Sequence, residues 1–305
     1  MNMKKFTRRA FLHTTPALLG LALGDFSFSA KKYQPKLAFS TLGCPKWSFE
    51  TIVKCAVDNG YQGIEIRGIQ GQLDLPLCPE FSTPARLAAS KQLVESNQLR
   101  IVDLGASAQM HHADPSKRKK QLDDARRFID LAQQLNCPNV RVFPDDLPKD
   151  QDEKMTLDLI AQGLLELGNH AKGSGVKILL ESHGKVVSTD RLLSIMRAAE
   201  HPQVGLIWDV YNMWSVTKEA PKMVHQKLKK YICHVHLKDA RQVVDKHEYV
   251  LLGEGEAPLT EAIRALTKDK FAGYYSFEWE KMWHPEIAEP EVAIPHYAQA
   301  VKGYF

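Results

Sequence analysis

At 305 residues, of which 44% are hydrophobic and 25% charged, the chain has apolar material for a large core and is neither a disordered segment nor a disulfide-stapled miniature. The net charge of +4 sits mostly at one end: Lys4, Lys5, Arg8 and Arg9 against Asp25 give residues 1–30 a charge of +3, leaving +1 for the rest. So nearly neutral a body is a poor match to a phosphate backbone, and no nucleic-acid partner is expected.

Residues 1–30 have the order of an export signal. Thr7-Arg8-Arg9-Ala10-Phe11-Leu12 follows a charged start and precedes the apolar run Ala17–Leu23, after which small residues lead to Ala30. This resembles a twin-arginine signal, which implies periplasmic or otherwise exported location and export of an already folded protein. The apolar run falls far short of the ~20 residues that span a bilayer, so no stable membrane anchor is expected. The five cysteines, Cys44, Cys55, Cys78, Cys137 and Cys233, never form Cys-x-x-Cys and signal neither a zinc cluster nor a disulfide framework.

From about residue 36, β-rich apolar runs alternate with helix-period runs, and no linker interrupts them. In chain order the strands are expected at Leu37–Thr41, Gly63–Arg67, Ile101–Gly105, Asn139–Phe143, Lys177–His183, Gly205–Val210, Cys233–Lys238 and Tyr274–Glu280. Helices are expected at Ser48–Asn59, Pro84–Asn97, Ser116–Leu135, Asp152–Lys172, Thr189–Glu200 and Leu259–Leu266. Eight such βα units imply parallel strands joined by right-handed crossovers, and the simplest closure is an α/β fold with one (β/α)8 TIM barrel over residues 31–305. A doubly wound open sheet competes, but no Gly-x-Gly-x-x-Gly or Walker-type loop follows the first strand. Ala240–Pro258 is long for a βα loop and is a candidate lid.

In such a barrel the C-terminal strand ends converge on one mouth. Glu181, Asp209, His236 and Glu278 stand at the ends of the last four expected strands. Three buried carboxylates and an imidazole converging there demand a cation. An oxygen-rich set with one imidazole makes Mn²⁺ the first choice of divalent metal, with Mg²⁺, Co²⁺ or Zn²⁺ as alternatives. Each residue alone also has a structural reading: Glu181 as a salt-bridged strand end, Asp209 as a helix cap, His236 as a core histidine, Glu278 as a solvated edge.

Leu180-Glu181-Ser182-His183, Trp208-Asp209-Val210-Tyr211-Asn212, His234-Val235-His236-Leu237-Lys238-Asp239, Leu252-Gly253-Glu254-Gly255 and Phe277-Glu278-Trp279-Glu280 resemble the motif series of the sugar phosphate isomerase/epimerase, or xylose isomerase-like, barrel superfamily. Gly63-Ile64-Glu65-Ile66-Arg67 is similar to its early motif. The resemblance covers residues 36–305. It implies a divalent metal on Glu181, Asp209, His236 and Glu278, and a small carbohydrate substrate. Its members include ketose 3-epimerases, aldose–ketose isomerases, inosose dehydratases and lyases of 3-oxo-glycosides.

A metal that chelates a carbonyl and a neighbouring hydroxyl acidifies the carbon beside them and stabilises an enediolate. Glu181 and Glu278 are the expected acid/base pair, as in epimerases of that superfamily. His183 shares a strand face with Glu181, and Lys238 with His236, so both are read as substrate-hydroxyl or oxyanion contacts. The bland readings are second-layer hydrogen bonding for His183 and a solvent-facing salt bridge for Lys238. Glu65 and Arg67 share a face of the second strand and either bind sugar hydroxyls or pair. His111 and His112 are expected at the rim and His247 on the lid near the sugar.

Asp245-Lys246-His247 is similar to the Asp-x-His of endonuclease IV, a three-metal DNA repair enzyme on the same barrel. Asn212 stands where that enzyme needs a histidine, so the nuclease is the weaker alternative. A non-catalytic carbohydrate-binding barrel would need no general base, yet both glutamates are present. The particular sugar and any homo-oligomer stay open.

Overall fold

The computed structural model describes residues 33–244 and 246–305. The expected leader over 1–30, and Asp245 of the Asp-x-His element, lie outside them.

Eight strands, β1 (Lys36–Ser40), β2 (Gly63–Ile66), β3 (Arg100–Gln109), β4 (Asn139–Phe143), β5 (Lys177–Glu181), β6 (Val204–Asp209), β7 (Ile232–Leu237) and β10 (Tyr274–Phe277), close into a barrel in the order β1-β10-β7-β6-β5-β4-β3-β2. Every pairing is parallel. The expected (β/α)8 barrel is therefore observed. Two strands stop short of their expected ends by more than one residue, at Glu181 instead of His183 and at Phe277 instead of Glu280, so Ser182, His183 and Glu278–Glu280 stand on the mouth loops.

Around the barrel run α1 (Phe49–Asp58), α2 (Pro84–Ser96), α3 (Pro115–Gln134), α4 (Glu153–His170), α5 (Thr189–Ala198) and α8 (Leu259–Lys268), all expected, together with α6 (Val210–Thr217), α7 (Pro221–Leu228) and α9 (Pro290–Ala300), which the periodicity did not single out. The starts follow from capping chemistry: Ser48, Thr83, Asp114, Asp152 and Asp209 accept from backbone N–H groups of the first helical turns. Each helix then buries one stripe on the barrel. In α8 that stripe is Leu259, Ala262, Ile263 and Leu266, at the i, i+3, i+4, i+7 spacing.

The segment expected as a lid folds as an antiparallel hairpin, β8 (Asp239–Val243) and β9 (Lys246–Val250), followed by the Gly253–Gly255 turn. Inside the barrel the layer beneath the mouth is polar. Glu65, Asp103, Arg141, His234 and Ser276 are all buried there, where a barrel of this kind ordinarily packs branched apolar side chains.

Candidate metal centre

Strand register sets up the site. Asp209 of β6 pairs with His236 of β7, and Ser276 of β10 pairs with the same histidine on its other side. Glu181 ends β5 and Glu278 follows β10. One donor atom from each of Glu181, Asp209, His236 and Glu278 lies within 4.8 Å of all the others, and all four residues are buried. His236 Nδ1 is 3.4 Å from Glu181 Oε1 and 3.3 Å from Glu278 Oε1.

The second donor atom of each ligand is already engaged. Glu181 Oε2 accepts from Arg141 Nη1 at 2.9 Å, and Glu278 Oε2 from Lys238 Nζ at 2.6 Å. Asp209 Oδ1 caps α6 by accepting from Asn212 N at 2.8 Å. His236 Nε2 sits 2.9 Å from Glu65 Oε2. With a proton on Nε2 donated to that carboxylate, His236 turns a lone pair at Nδ1 toward the carboxylates. Asp209 Oδ2 and His236 Nδ1 have no hydrogen-bond partner, although Lys238 Nζ lies 2.8 Å from that Oδ2. Three carboxylate oxygens and one imidazole nitrogen, each half-satisfied and converging on one point, fit a divalent cation.

Burial opposes every charge in this cluster, and the neighbours decide the outcome. Glu278 is held well below the usual carboxylate range because the imidazole of His236 and the ammonium of Lys238 outweigh desolvation. Glu181 is lowered too, desolvation and Glu278 being overcome by Arg141 and His236. Asp209 is pushed up to about 7, desolvation exceeding what Lys238 offsets. His236 is raised well above its ordinary value against desolvation, by Glu278, Glu65 and Glu181.

A family model described as Xylose isomerase-like TIM barrel matches residues 53–299. The chain belongs to that family. Among curated relatives, it is 23% identical over 261 residues to the fructoselysine 3-epimerase of Shigella flexneri, covering 82% of this chain and 92% of that protein. It is 29% identical over 174 residues to the inosose dehydratase of Clostridium perfringens, covering 50% of this chain and 56% of that protein. Among solved structures, the IOLI protein with a bound zinc atom superposes with a TM-score of 0.73 at 19% identity, over 88% of this chain and 99% of that one; this is likeness of fold.

Above the ligands of this family barrel opens a cavity of about 390 Å³, lined among others by Arg67, Ser107, His183, Tyr249, Glu280 and Trp283. His183 lies there as expected, its Nδ1 2.8 Å from Asp145 Oδ1; Asp145 outweighs burial and raises the imidazole pKa. Lys238 is 1% exposed and bridges Asp209, Glu278 and Glu280, which rules out a solvent-facing salt bridge. Arg67 reaches the cavity and is not paired with Glu65.

Three expectations are corrected. Glu65 does not meet a substrate: it is 1% exposed one layer deeper, where its Oε2 accepts from His234, His236 and Ser276 at 3.0, 2.9 and 3.0 Å. It positions the histidine of the four-residue cluster. His111 is buried against His112 with ring centroids 4.1 Å apart, and lies off the cavity because its side chain turns to the Asp146 backbone. His247 sits outward on β9, 2.7 Å from the Tyr211 hydroxyl, and Tyr249, two residues nearer the barrel, lines the cavity in its place.

Arg141, Asp145, Glu280 and Tyr249 were missed. Arg141 had a signal, a charge in the middle of the apolar strand Asn139–Phe143.

Proposed function

We propose that this enzyme is a divalent-metal-dependent isomerase or epimerase of a small sugar derivative, moving a proton at the carbon next to a carbonyl. The observation that carries the reading is the convergence of one donor atom from each of Glu181, Asp209, His236 and Glu278, two of which, Glu181 and Glu278, line a cavity. When bound there, the cation supplies Lewis-acid polarisation of the substrate carbonyl. Glu181 and Glu278 come from separated strands, β5 and β10, and reach the reacting carbon from two directions. At the start of a turnover one is ionised and takes the proton from its face of the carbon, and the other is protonated and delivers its own proton to the opposite face; the two protonation states are thereby exchanged and are reset through solvent, while Arg141 hydrogen-bonds Glu181 and Lys238 hydrogen-bonds Glu278. Lys238 spends its three N–H groups on Asp209, Glu278 and Glu280, which leaves His183 to donate a hydrogen bond to a substrate oxygen, and Tyr249 and Trp283 exclude water from above.

A β-eliminating lyase is the second reading, favoured by His183. Held by Asp145 and facing the cavity, it offers a proton donor for a departing group at the β carbon, where an epimerase needs none. The inosose dehydratase relative is compatible with it.

Mn²⁺ remains the first choice of metal on the donor set, with Mg²⁺, Co²⁺ and Zn²⁺ behind it. Export through the Arg8-Arg9 leader makes an unphosphorylated substrate the better match. Among the described residues no helix is long and apolar enough to cross a membrane.

The test is solvent exchange in D₂O with metal-loaded protein and a panel of free sugars and 3-oxo-glycosides. Deuterium at carbon with an intact skeleton supports the isomerase or epimerase, and an unsaturated product supports the lyase. Glu181→Gln and Glu278→Gln keep a ligand oxygen but lose the proton acceptor, so exchange should fall by ~10² or more while metal is retained. Wild-type turnover in both variants would refute the assigned pair.

A further inference from the structure

Two guanidinium groups enter this barrel side by side. Arg67, just beyond β2, and Arg141 of β4 flank Gly105 on the intervening β3, and a Cβ at Gly105 would meet Arg67 Cδ and Arg141 Nη2, each at 2.8 Å. Glycine inside a strand leaves the opening through which both side chains pass.

Their partners differ. Arg141 is neutralised by Glu181 at 2.9 Å. Among the described residues no carboxylate lies within 4.0 Å of the Arg67 guanidinium, whose Nη1 donates to the Gly105 carbonyl at 3.4 Å and Nη2 to Ser107 Oγ at 2.9 Å. Both acceptors are neutral. Yet Arg67 is 6% exposed and lines the same cavity as Glu181 and Glu278. An unpaired buried cation is costly, more so with a second guanidinium beside it. Burial and Arg141 pull its pKa down to about 9, which still leaves it charged at neutral pH.

The carboxylates nearby cannot serve it, since Glu181 and Glu278 are shared between their own cations and the metal point. The cavity is thus two-ended, with the four-residue cluster on β5, β6, β7 and just after β10 and, on the β2–β3 side, a guanidinium that no carboxylate pairs. We infer that Arg67 and Ser107 receive a carboxylate of the substrate while its carbonyl and hydroxyl face the metal ligands, which makes the substrate a polyhydroxylated acid and not a neutral sugar. The planar fork of Arg67 matches a carboxylate in two-point contact. This inference rests on the metal-dependent reading above and narrows its substrate class.

The full chain, loaded with Mn²⁺, is titrated calorimetrically with glucuronate, galacturonate, gluconate and quinate, each against its neutral counterpart glucose, galactose, sorbitol or inositol, and with glucose 6-phosphate. At least one carboxylic acid should bind about 10-fold or more tighter than its neutral partner, the worth of a charged hydrogen bond. Arg67→Met should erase that preference without changing metal content, and Arg67→Lys should restore part of it. The inference is overturned if no acid outbinds its partner, if only the phosphate gains, or if Arg67→Met weakens acid and neutral ligand equally, as it would were Arg67 serving a reaction oxyanion alone. Metal content, and its loss in Asp209→Ala and His236→Ala, tests the underlying reading separately and does not depend on Arg67.

Discussion

Glu65 has one carboxylate oxygen surrounded by His234, His236 and Ser276, and that crowding fixes which nitrogen of His236 faces Glu181 and Glu278, where the proposed metal would sit. Removing the carboxylate frees the imidazole to rotate or change tautomer. Glu65→Leu should therefore weaken metal affinity by about 10- to 100-fold with no loss of a ligand, and Glu65→Gln by less. Competition against a chelator measures this, and unchanged affinity in Glu65→Leu would remove Glu65 from the site. The protons in the cluster lead to a second prediction. Metal capture needs Asp209 charged and His236 neutral at Nδ1, but burial pushes Asp209 up to about 7, and Glu278, Glu65 and Glu181 raise His236 in spite of burial. The cation must displace protons, so its affinity should rise with pH through 7 and its binding should release protons. The sign for the metal-free fold is the opposite: a carboxyl raised above its unfolded value stabilises fully at low pH, and that contribution is lost as pH rises through about 7. Calorimetry in two buffers of different ionisation enthalpy counts the protons; affinity flat between about pH 5.5 and 8 would contradict the argument. The four converging residues were legible in the sequence because each is a polar residue interrupting an apolar strand end. Glu65 was misread because its role depends on a partner across the barrel, on β7, and no local pattern carries that pairing.

At the scale of elements, one side chain ties the base of the hairpin to the turn that follows it. The buried Asp239 carboxylate accepts from the backbone N–H groups of Ala240, Gly253, Gly255 and Ala257 at 3.0, 2.9, 3.0 and 3.1 Å. This explains the Leu-Gly-Glu-Gly sequence: Gly253 has φ +94°, and a Cβ at Gly255 would stand 2.1 Å from Asp239 Oδ1. Gly255→Ala should lower stability by about 1–3 kcal/mol and loosen β9, and with it Tyr249 over the cavity. Thermal unfolding and hydrogen exchange across Lys246–Val250 measure both; a variant with wild-type Tm and exchange would show the turn does not position the hairpin. The strands and long helices were legible because periods of 2 and 3.6 are local properties. The hairpin was not, because the polar Lys246–Val250 lies half out in solvent and reads as loop. The helix α6 escaped as well. Val210–Thr217 is rich in β-branched and aromatic residues, and its start depends on Asp209, which ends a strand, caps a helix and lends its other oxygen to the metal site.

At the scale of the molecule, the proposed metal site exists only when the barrel is closed, since its four residues arrive on β5, β6, β7 and just after β10, and β10 seals the barrel against β1. An unfolded chain offers the cation no such cluster, so the compartment in which the barrel closes chooses the metal. This joins the site to the proposed leader. Export through a twin-arginine route carries a folded protein, so the barrel would close in the cytoplasm and be loaded from its metal pool; a route that threads unfolded chain would leave the barrel to close outside. An O₃N site has no steep preference against the strongest binders of the Irving–Williams order, so outside the cytoplasm it should fill with zinc or copper. The leader is tested first by Arg8→Lys with Arg9→Lys, which should hold the protein in the cytoplasm; equal periplasmic yield would count against it. The metal follows: protein recovered from the periplasm behind its own leader should contain manganese, and the same barrel sent behind a leader for unfolded export should contain zinc or copper at equal stoichiometry. Elemental analysis of the two preparations decides, because an identical metal in both would mean that the donor set alone, and not the place of folding, selects the ion.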